Sequence, residues 1–406
     1  MDKTCVIIGA GHAAAQLAPT LRQQGWQDRI LVIGEEPYLP YHRPPLSKAM
    51  LAGEKTLEES YIRPGKVYSK DDIEFMLDTR VMGIDRDNRQ LLLANGEQLQ
   101  YAKLALTTGS RVRELTIPGA DLDGVCYLRN YYDLERIRPR IIPGHKAVII
   151  GGGYIGLEVA AVLNKLGMEV TVLEMMERVL QRVTAAPVSE FFTRVHGEEG
   201  VQIVCGVGVE AITGNSGVEQ VIASDGGHYT ADLVVVGVGI LPNVELAEAA
   251  GLEVDNGIVV DEYSLTADVD IVAAGDCTCH YNKIYDRWIR LESVQNASDQ
   301  SRTAAATLCG KDMPYATLPW FWSDQYDLKL QIAGLSQGYN EVVMRGDSRQ
   351  GRSFAAFYLR AGAVIAIDAI NRPPEFMLGK RLITEQKIID KSKLADVSVP
   401  MKELLG

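Results

Sequence analysis

The sequence predicts an α/β protein that consists of two doubly wound parallel-sheet units and an α+β domain at the C-terminus. Three observations lead to this prediction. A strand, a glycine turn, a helix and a second strand follow one another from Thr4. The same pattern returns 142 residues later, where Gly151 corresponds to Gly9. A third region begins near Trp320 and alternates short apolar runs with glycine-containing turns.

The first repeat contains a GxGxxA motif at residues 9–14, between a β-branched run at 4–8 and a helical pattern at 15–24. In a Rossmann-like unit, such glycines permit a tight turn and a close approach of the backbone to a pyrophosphate. The helix that follows supplies free N–H groups at its N-terminus. Glu35 lies 26 residues after Gly9, where a carboxylate can accept hydrogen bonds from a ribose. The motif predicts a dinucleotide site without distinguishing FAD from NAD.

The second repeat contains a GGGYIG motif at residues 151–156, and Glu174 ends the strand that follows its helix. A carboxylate in this position binds a ribose diol and repels the 2′-phosphate of NADPH. The pattern therefore favours NADH as the ligand of the second unit. Arg178 and Arg182 are the nearby basic residues, and they keep NADPH open as an alternative.

Two further strand ends are candidates for contacts with a flavin cofactor. A strand at residues 104–106 is followed by Thr107, Thr108 and Gly109, where a split FAD domain would return to its cofactor. Asp276 follows a strand near residue 271, and its carboxylate is predicted to hydrogen-bond the ribitol chain of FAD. Capping of a helix N-terminus is the alternative role for this aspartate, and the two roles are compatible.

The order of these patterns predicts three domains. They are a discontinuous FAD-binding domain at residues 1–112 and 246–319, an NAD-binding domain at 113–245 and a C-terminal domain at 320–406. The short strands predicted in the last domain lie at 328–332, 340–344, 353–358 and 363–367, and the helices predicted there lie at 374–383 and 391–396.

Composition and charge exclude several classes of protein. The chain has 406 residues and a formal net charge of −12, which argues against a nucleic-acid-binding protein. It contains no apolar run of about 18 residues, so we expect no membrane span. The N-terminus shows no signal-peptide pattern, which indicates a cytoplasmic protein. The sequence leaves a monomer and a weak dimer open.

The six cysteines do not form a redox or metal-binding motif. They are scattered, no CxxC occurs, and residues 34–60 contain no cysteine. The last histidine is His280, so no histidine near the C-terminus could protonate a thiolate. We therefore expect no metal, and we expect electrons to leave a flavin directly rather than through a protein dithiol.

Several segments resemble the FAD-dependent NADH:ferredoxin reductases that supply oxygenases. These are Leu46-Ser47-Lys48 after two prolines, and residues 151–158, 178–189, 284–296 and 319–325. The resemblance covers almost the whole chain. It implies a glutathione-reductase-type flavoprotein with FAD, NAD and C-terminal domains.

The resemblance and the motifs together give the candidate binding residues. The FAD candidates are Gly9, Gly11, Ala13, Ala14, Glu35, Lys48, Val81, Thr108, Gly109, Arg129, Asp276 and Val294. The NAD candidates are Gly151, Gly153, Ile155, Gly156, Glu158, Glu174, Arg182 and Gly239. His12 replaces the more usual leucine of the first glycine turn, and we assign it no catalytic role.

The resemblance also implies roles near the flavin ring. Lys48 and Glu158 would lie beside the isoalloxazine, where the lysine stabilises negative charge and the glutamate orients it. Trp320 and Trp322 would lie on one face of a strand near the flavin and provide the electron exit, with core packing as the alternative. The partner contacts would come from Arg287, Arg290 and Arg302, for which a solvated charged face is the alternative.

We therefore expect hydride transfer from NADH to FAD, followed by single-electron transfer to a 2Fe-2S ferredoxin. The segment at residues 178–189 favours a cytochrome P-450 as the final oxygenase, with a Rieske-type dioxygenase as an alternative. A second enzymatic alternative is an NADH oxidase or a monodehydroascorbate-type reductase. A redox-sensing interaction flavoprotein is the alternative from a different functional class.

Overall fold

The computed structural model describes residues 3–405, and the chain forms two compact units. The first comprises Met1–His42, Leu57–Arg111 and Ile240–Pro319. The second comprises Arg43–Thr56, Val112–Gly239 and Trp320–Gly406. The α/β prediction with two Rossmann-like units and an α+β C-terminal part is confirmed. The finer division into three domains stays a prediction.

A five-stranded parallel sheet forms the centre of the first unit. Its strands, in spatial order, are Ile271–Ala273, Lys103–Leu106, Cys5–Ile8, Ile30–Ile33 and Ile73–Met76. Ile8 pairs with both Ile33 and Leu106, and Leu106 pairs with Ala273. The carboxyl ends of four strands therefore lie side by side, which is where α/β sheets bind their ligands.

Alternate residues of the central strands pack on opposite faces of this sheet. On one face, Cys5 and Ile7 belong to a cluster with Leu17 of helix His12–Gln24 and Ala304 of helix Val294–Leu308. On the other face, Val6 and Ile8 belong to a cluster with Leu91 and Leu93 of a small antiparallel sheet. Both faces are covered, which explains why these strands are apolar throughout.

The remaining elements of the first unit are short. Its smaller strands are Val81–Asp85, Gln90–Leu93, Gln98–Gln100, Ser110–Val112, Ile240–Pro242, Ile258–Val260, Thr278–Asn282 and Arg287–Ile289. Its other helices are Gly65–Lys70 and Glu245–Ala249, with a 3₁₀ turn at Glu58–Ser60. Ser110–Val112 and Ile240–Pro242 lie where the chain passes from one unit to the other.

The second unit repeats the parallel architecture. Its five parallel strands, in spatial order, are Gln202–Cys205, Glu169–Glu174, Lys146–Ile150, Leu233–Val236 and Val125–Tyr127. A three-stranded antiparallel sheet adds Val209–Thr213, Gln220–Ala223 and His228–Thr230. The helices of this part are Tyr131–Ile137, Tyr154–Lys165 and Ala186–Glu198, and 3₁₀ turns lie at Pro44–Ser47 and Arg138–Arg140.

The C-terminal part of the second unit is a five-stranded antiparallel sheet with helices. The spatial order of its strands is Trp320–Gln325, Leu328–Gly334, Ala363–Ile370, Ser353–Arg360 and Glu341–Asp347. Its helices are Pro373–Glu385 and Lys391–Ala395, followed by a 3₁₀ turn at Met401–Leu405. The four strands and two helices predicted here are confirmed, and most of the strands extend beyond their predicted ends.

Close packing in this part depends on a glycine. A Cβ atom on Gly379 of helix Pro373–Glu385 would lie 2.6 Å from Ile367 Cγ2. The glycine therefore lets the helix approach strand Ala363–Ile370 closely. Across residues 3–405, no helix is both long and apolar enough to cross a membrane.

His280 makes the first unit sensitive to acid. It lies in strand Thr278–Asn282, is 3% exposed and has its ring centre 5.1 Å from that of Tyr315. Neither ring nitrogen has a hydrogen-bond partner among the residues described. Burial disfavours the charged imidazolium and lowers the pKa of His280 from 6.5 to about 4.

We predict that His280→Phe makes the free energy of unfolding less dependent on pH. The unfolded chain binds a proton at a higher pH than the folded chain. The stability contribution of neutral His280 is therefore present above pH 6.5 and is lost as pH falls towards 4. Between pH 7 and pH 4.5 this loss is about 2.5 kcal/mol. Urea unfolding of both proteins at the two pH values measures it, and identical pH dependence would contradict the prediction.

Candidate functional site

The two glycine turns have the same backbone geometry. Gly9 and Gly151 have φ values of +103° and +108°, which favour glycine. A Cβ atom on Gly9 would lie 2.2 Å from the carbonyl oxygen of Thr107, and one on Gly151 would lie 2.4 Å from that of Gly237. Any other residue in either place would displace backbone, so both turns require glycine.

Each turn leads into a helix whose N-terminus is open. Gly11 and Gly153 are the N-cap residues, and neither helix has a side-chain cap in the described chain. No atom lies within 4 Å of the position that a Cβ would take on either glycine. Free N–H groups and an unfilled space suit a pyrophosphate, which the helix dipole also favours. Both sites therefore fit a dinucleotide.

The third motif position brings helix and strand together in the second repeat. A Cβ atom on Gly156 would lie 2.1 Å from the carbonyl oxygen of Gly151. In the first repeat, Ala14 takes the equivalent place and is 1% exposed. The first helix therefore accommodates one methyl group where the second accommodates none.

Asn243 forms hydrogen bonds with the turn at Thr108 and Gly109, which is predicted to contact the flavin. Thr108 Oγ1 donates to the carbonyl oxygen of Asn243 at 2.6 Å, and Asn243 Nδ2 donates back to that of Thr108 at 2.9 Å. The backbone N–H of Asn243 also donates to the carbonyl oxygen of Gly109. Sequence reasoning missed Asn243, because no local pattern links it to a turn more than a hundred residues earlier.

Asp276 lies at the neighbouring strand end. Its Oδ2 accepts a hydrogen bond from Ser110 Oγ at 2.8 Å. The preceding Gly275 donates its N–H to Gln300 Oε1 at 2.9 Å, and Thr278 Oγ1 donates to the same oxygen. The buried Gln300 therefore holds the turn that presents Asp276. This glutamine was also missed, since its helix position carries no recognisable signal.

The other FAD candidates fall into two groups. Glu35 is exposed, beyond the end of strand Ile30–Ile33, with its Oε1 3.4 Å from Arg80 Nη1. The remaining candidates of the first unit are Ala13 and Val81, which are buried, and Val294, which begins a helix. Lys48 and Arg129 belong to the second unit.

Glu174 supports the glycine turn of the second unit. Its Oε2 accepts a hydrogen bond from Gly152 N at 2.6 Å, and its Oε1 accepts one from Met176 N at 2.8 Å. Arg178 is directed into its own loop, where its guanidinium donates to the Thr184 carbonyl oxygen at 2.8 Å and to Ser189 Oγ. A carboxylate at the strand end and an engaged arginine both disfavour a 2′-phosphate.

Three other NAD candidates lie around the same strand ends. Ile155 is 47% exposed on the helix that follows the glycine turn. Gly239 has φ +108° and accepts a hydrogen bond from Arg113 N at 2.9 Å. Arg182 is exposed in the loop after Glu174. Arg182 is therefore the exposed basic residue of that loop, whereas Arg178 is engaged within it.

Glu158 is the centre of a buried polar cluster. It is 2% exposed on helix Tyr154–Lys165. Its Oε2 accepts hydrogen bonds from Lys48 Nζ at 2.6 Å and from Ser47 Oγ at 2.5 Å, and its Oε1 accepts one from Ser323 Oγ at 2.6 Å. The lysine–glutamate pair named from the sequence is therefore a direct ion pair. Ser47 and Ser323 were not identified as candidates.

The two tryptophans share one face of strand Trp320–Gln325, with ring centres 5.7 Å apart. Both are partly exposed. Lys380 Nζ lies 5.5 Å from the ring centre of Trp320, and Phe376 packs against the same ring. The strand thus presents an aromatic surface with a cation beside it.

Two of the three arginines named as partner contacts have acidic neighbours. Arg290 pairs with Glu292 at 2.5 Å, and Arg302 pairs with Asp299. The guanidinium of Arg287 lies 5.8 Å from the ring centre of Tyr285. Local pairing reduces the net charge that Arg290 and Arg302 offer to a partner.

No cysteine has the properties of a redox thiol. All six are free. Burial raises the pKa of every one of these thiols, which keeps them protonated at neutral pH. The reactive form of a thiol is the thiolate, so the surroundings activate none of these six cysteines.

The protein has two dinucleotide cradles, and in the first unit the carboxylate of Asp276 lies at a strand end predicted to contact a flavin. This combination is typical of a flavoprotein oxidoreductase. A family model described as "Pyridine nucleotide-disulphide oxidoreductase" matches residues 3–301, and one described as "Reductase C-terminal" matches residues 320–405. The chain belongs to this oxidoreductase family, among the FAD-dependent ferredoxin reductases that use NAD(H).

Individual relatives agree with this placement. The chain is 45% identical to putidaredoxin reductase of Pseudomonas putida over 99% of its own length and 96% of that protein. It matches the structure of a covalent putidaredoxin reductase–putidaredoxin complex with a TM-score of 0.96 and 44% identity, covering 100% of this chain and 98% of the other. The ferredoxin reductase for the CYP199A2 system from Rhodopseudomonas palustris gives 0.95 and 43%, with 99% of each chain covered.

We predict that Glu174→Ala raises the Michaelis constant for NADH and reduces discrimination against NADPH. The substitution removes the predicted ribose acceptor, a negative charge and the anchor of Gly152. Loss of a charged hydrogen bond costs about 1.5–3 kcal/mol, which corresponds to roughly tenfold or more in the specificity constant for NADH. Steady-state kinetics with both nucleotides measure the change.

Glu177→Ala is the matched control, because Glu177 is an exposed acid of the same loop. We expect this variant to keep the nucleotide preference of the unmodified protein. An unchanged ratio of the two specificity constants in Glu174→Ala would refute the role of Glu174.

Proposed function

We propose that the protein passes electrons from NADH through FAD to a 2Fe-2S ferredoxin that serves an oxygenase, a cytochrome P-450 in our first choice. One observation carries the proposal: two complete dinucleotide cradles occur in a chain whose six cysteines are all free, with the pKa of each thiol raised by burial. Electrons enter with a nicotinamide and have no dithiol by which to leave. Bound FAD supplies the required chemistry, since it accepts two electrons together and releases them singly.

The Lys48–Glu158 ion pair is the electrostatic part of the proposed electron-transfer site. Lys48 Nζ carries a positive charge and is held by a carboxylate that is itself 2% exposed. We propose that the pair acts on the flavin ring, with Lys48 stabilising the negative charge of the reduced form. No acid or base from the chain is needed for electron transfer between two cofactors.

We propose that the aromatic surface of Trp320 and Trp322 forms the electron exit. Its partial exposure and the neighbouring Lys380 suit an acidic protein partner, because opposite charges steer association. Arg287, Arg290 and Arg302 stay candidates for the same partner. The ion pairs of Arg290 and Arg302 favour a smaller contribution from these two residues.

The compartment and the final oxygenase belong to the same proposal. Six free cysteines fit a reducing cytoplasm, where disulfides are rare. A cytochrome P-450 is our first choice, and a relative that serves the CYP199A2 system supports it. A Rieske-type dioxygenase is the alternative that the same electron path would also supply.

The ferredoxin step predicts a rate that depends on an added carrier. NADH should bleach the flavin absorbance under anaerobic conditions. Cytochrome c reduction should then rise in proportion to added 2Fe-2S ferredoxin and fall with rising salt. Cytochrome c reduction that is independent of ferredoxin would contradict the proposed function. Rapid oxygen consumption without a carrier would favour an NADH oxidase instead.

We predict that Lys48→Met lowers the flavin midpoint potential by about 30 mV or more, equivalent to about 1.4 kcal/mol for two electrons. The substitution removes a positive charge and leaves the carboxylate of Glu158 uncompensated. The double variant Lys48→Met/Glu158→Gln should recover part of the shift, because it carries neither charge.

Lys165→Met is the control for this cycle, since Lys165 is an exposed lysine at the end of the same helix as Glu158. Its potential should equal that of the unmodified protein. Spectroscopic redox titration of the four proteins tests the role of the pair. A Lys48→Met potential equal to that of the control would refute it.

A further inference from the structure

A chain of buried hydrogen bonds continues from Glu158 into the protein. Ser323 Oγ donates to Glu158 Oε1 at 2.6 Å, and Gln325 Nε2 donates to Ser323 Oγ at 3.2 Å. Gln325 Oε1 is 2.8 Å from His196 Nε2, and His196 Nδ1 is 3.3 Å from the hydroxyl of Tyr326. Four of these five side chains are at most 2% exposed, so the contacts do not compete with water.

The carboxylate of Glu158 sets the direction of every hydrogen bond in this series. A carboxylate only accepts, so the hydroxyl of Ser323 must donate to Glu158 and can accept only from Gln325. The amide of Gln325 therefore directs its NH₂ towards the serine and its oxygen towards the histidine. His196 must then carry its proton on Nε2, and its Nδ1 accepts from Tyr326.

The surroundings of His196 are consistent with this single tautomer. Burial lowers the pKa of the imidazole, and Glu199 is the charged group that opposes this effect. The same glutamate and Arg352 are the charged groups that act on Tyr326, beside Asn164. The imidazole therefore stays neutral at neutral pH, with one donor and one acceptor.

We propose that His196 is a positioning residue for the electron-transfer site, which acts on Glu158 through Gln325 and Ser323. Successive dipoles that point the same way polarise one another and strengthen the last bond to the carboxylate. The series of hydrogen bonds thereby balances part of the charge on Glu158 and fixes its carboxylate against Lys48. This inference rests on the proposed function, because it assigns His196 an effect on the flavin through the Lys48–Glu158 pair.

Flavin potentials of three variants test the proposal first. Ser323→Ala removes the last donor and should make the midpoint potential more negative. It should also slow flavin bleaching by NADH roughly tenfold, as expected for one hydrogen bond to a charged group. His196→Phe should shift the potential in the same direction by less. The double variant should match Ser323→Ala alone, because the effect of His196 passes through the serine.

Two amide variants of His196 distinguish a positioning role from a packing role. The amide nitrogen of His196→Gln takes the place of Nε2 and should restore most of the potential, whereas His196→Asn places its amide too far from Gln325 and should not. His228→Phe is the matched control: this exposed histidine of the same unit bonds to Gln220, and its loss should leave the potential unchanged.

Two results would overturn the proposal. One is additive shifts for Ser323→Ala and His196→Phe, and the other is equal potentials for His196→Gln and His196→Asn. The comparison of the amide variants decides the question even if His196→Phe fails to fold. Ferredoxin takes no part in these readings, so failure to reduce a ferredoxin would count against the proposed function and not against His196.

Discussion

The second unit depends on the ion pair and the hydrogen bonds of the buried carboxylate of Glu158. The carboxylate accepts hydrogen bonds from Ser47 and Lys48 in one segment and from Ser323 in another. These donors lie 110 to 165 positions from Glu158 in the sequence. Removal of one partner from a buried ion pair typically costs about 3–5 kcal/mol, because a charge is left without compensation. The cluster therefore holds the segment Arg43–Thr56, helix Tyr154–Lys165 and the C-terminal sheet in one arrangement.

The same helix carries the nucleotide cradle and this charge. Gly153 caps helix Tyr154–Lys165, and Glu158 lies just over one turn into it. Gly156 lies between them and brings the helix against the backbone of Gly151, where no side chain could fit. The end of the glycine turn and the carboxylate are consequently carried by one rigid element. Precision of this kind matters, because electrostatic stabilisation requires groups that do not reorganise.

Much of the fold could be predicted from the sequence, but only part of the site. The repeat of Gly9 at Gly151 predicted both parallel sheets, because a glycine turn between strand and helix is a local pattern. The contacts of Asn243, Gln300 and Ser323 could not be predicted. Each depends on a polar side chain that reaches a distant backbone or carboxylate, and ordinary polar residues on strands and helices carry no signal of such a contact.

Infrared difference spectroscopy of Glu158 tests this account most directly. The spectrum of the FAD-loaded protein minus that of Glu158→Gln, with ¹³C-labelled glutamate, isolates the vibrations of this one side chain. Three donors within 2.6 Å of its oxygens, one of them the ammonium group of Lys48, predict a carboxylate stretching band that shifts when Ser323 is replaced by alanine. A protonated carboxyl band in the unmodified protein would contradict the account, because a neutral Glu158 would neither hold Lys48 as an ion pair nor direct the hydrogen bonds that lead to His196.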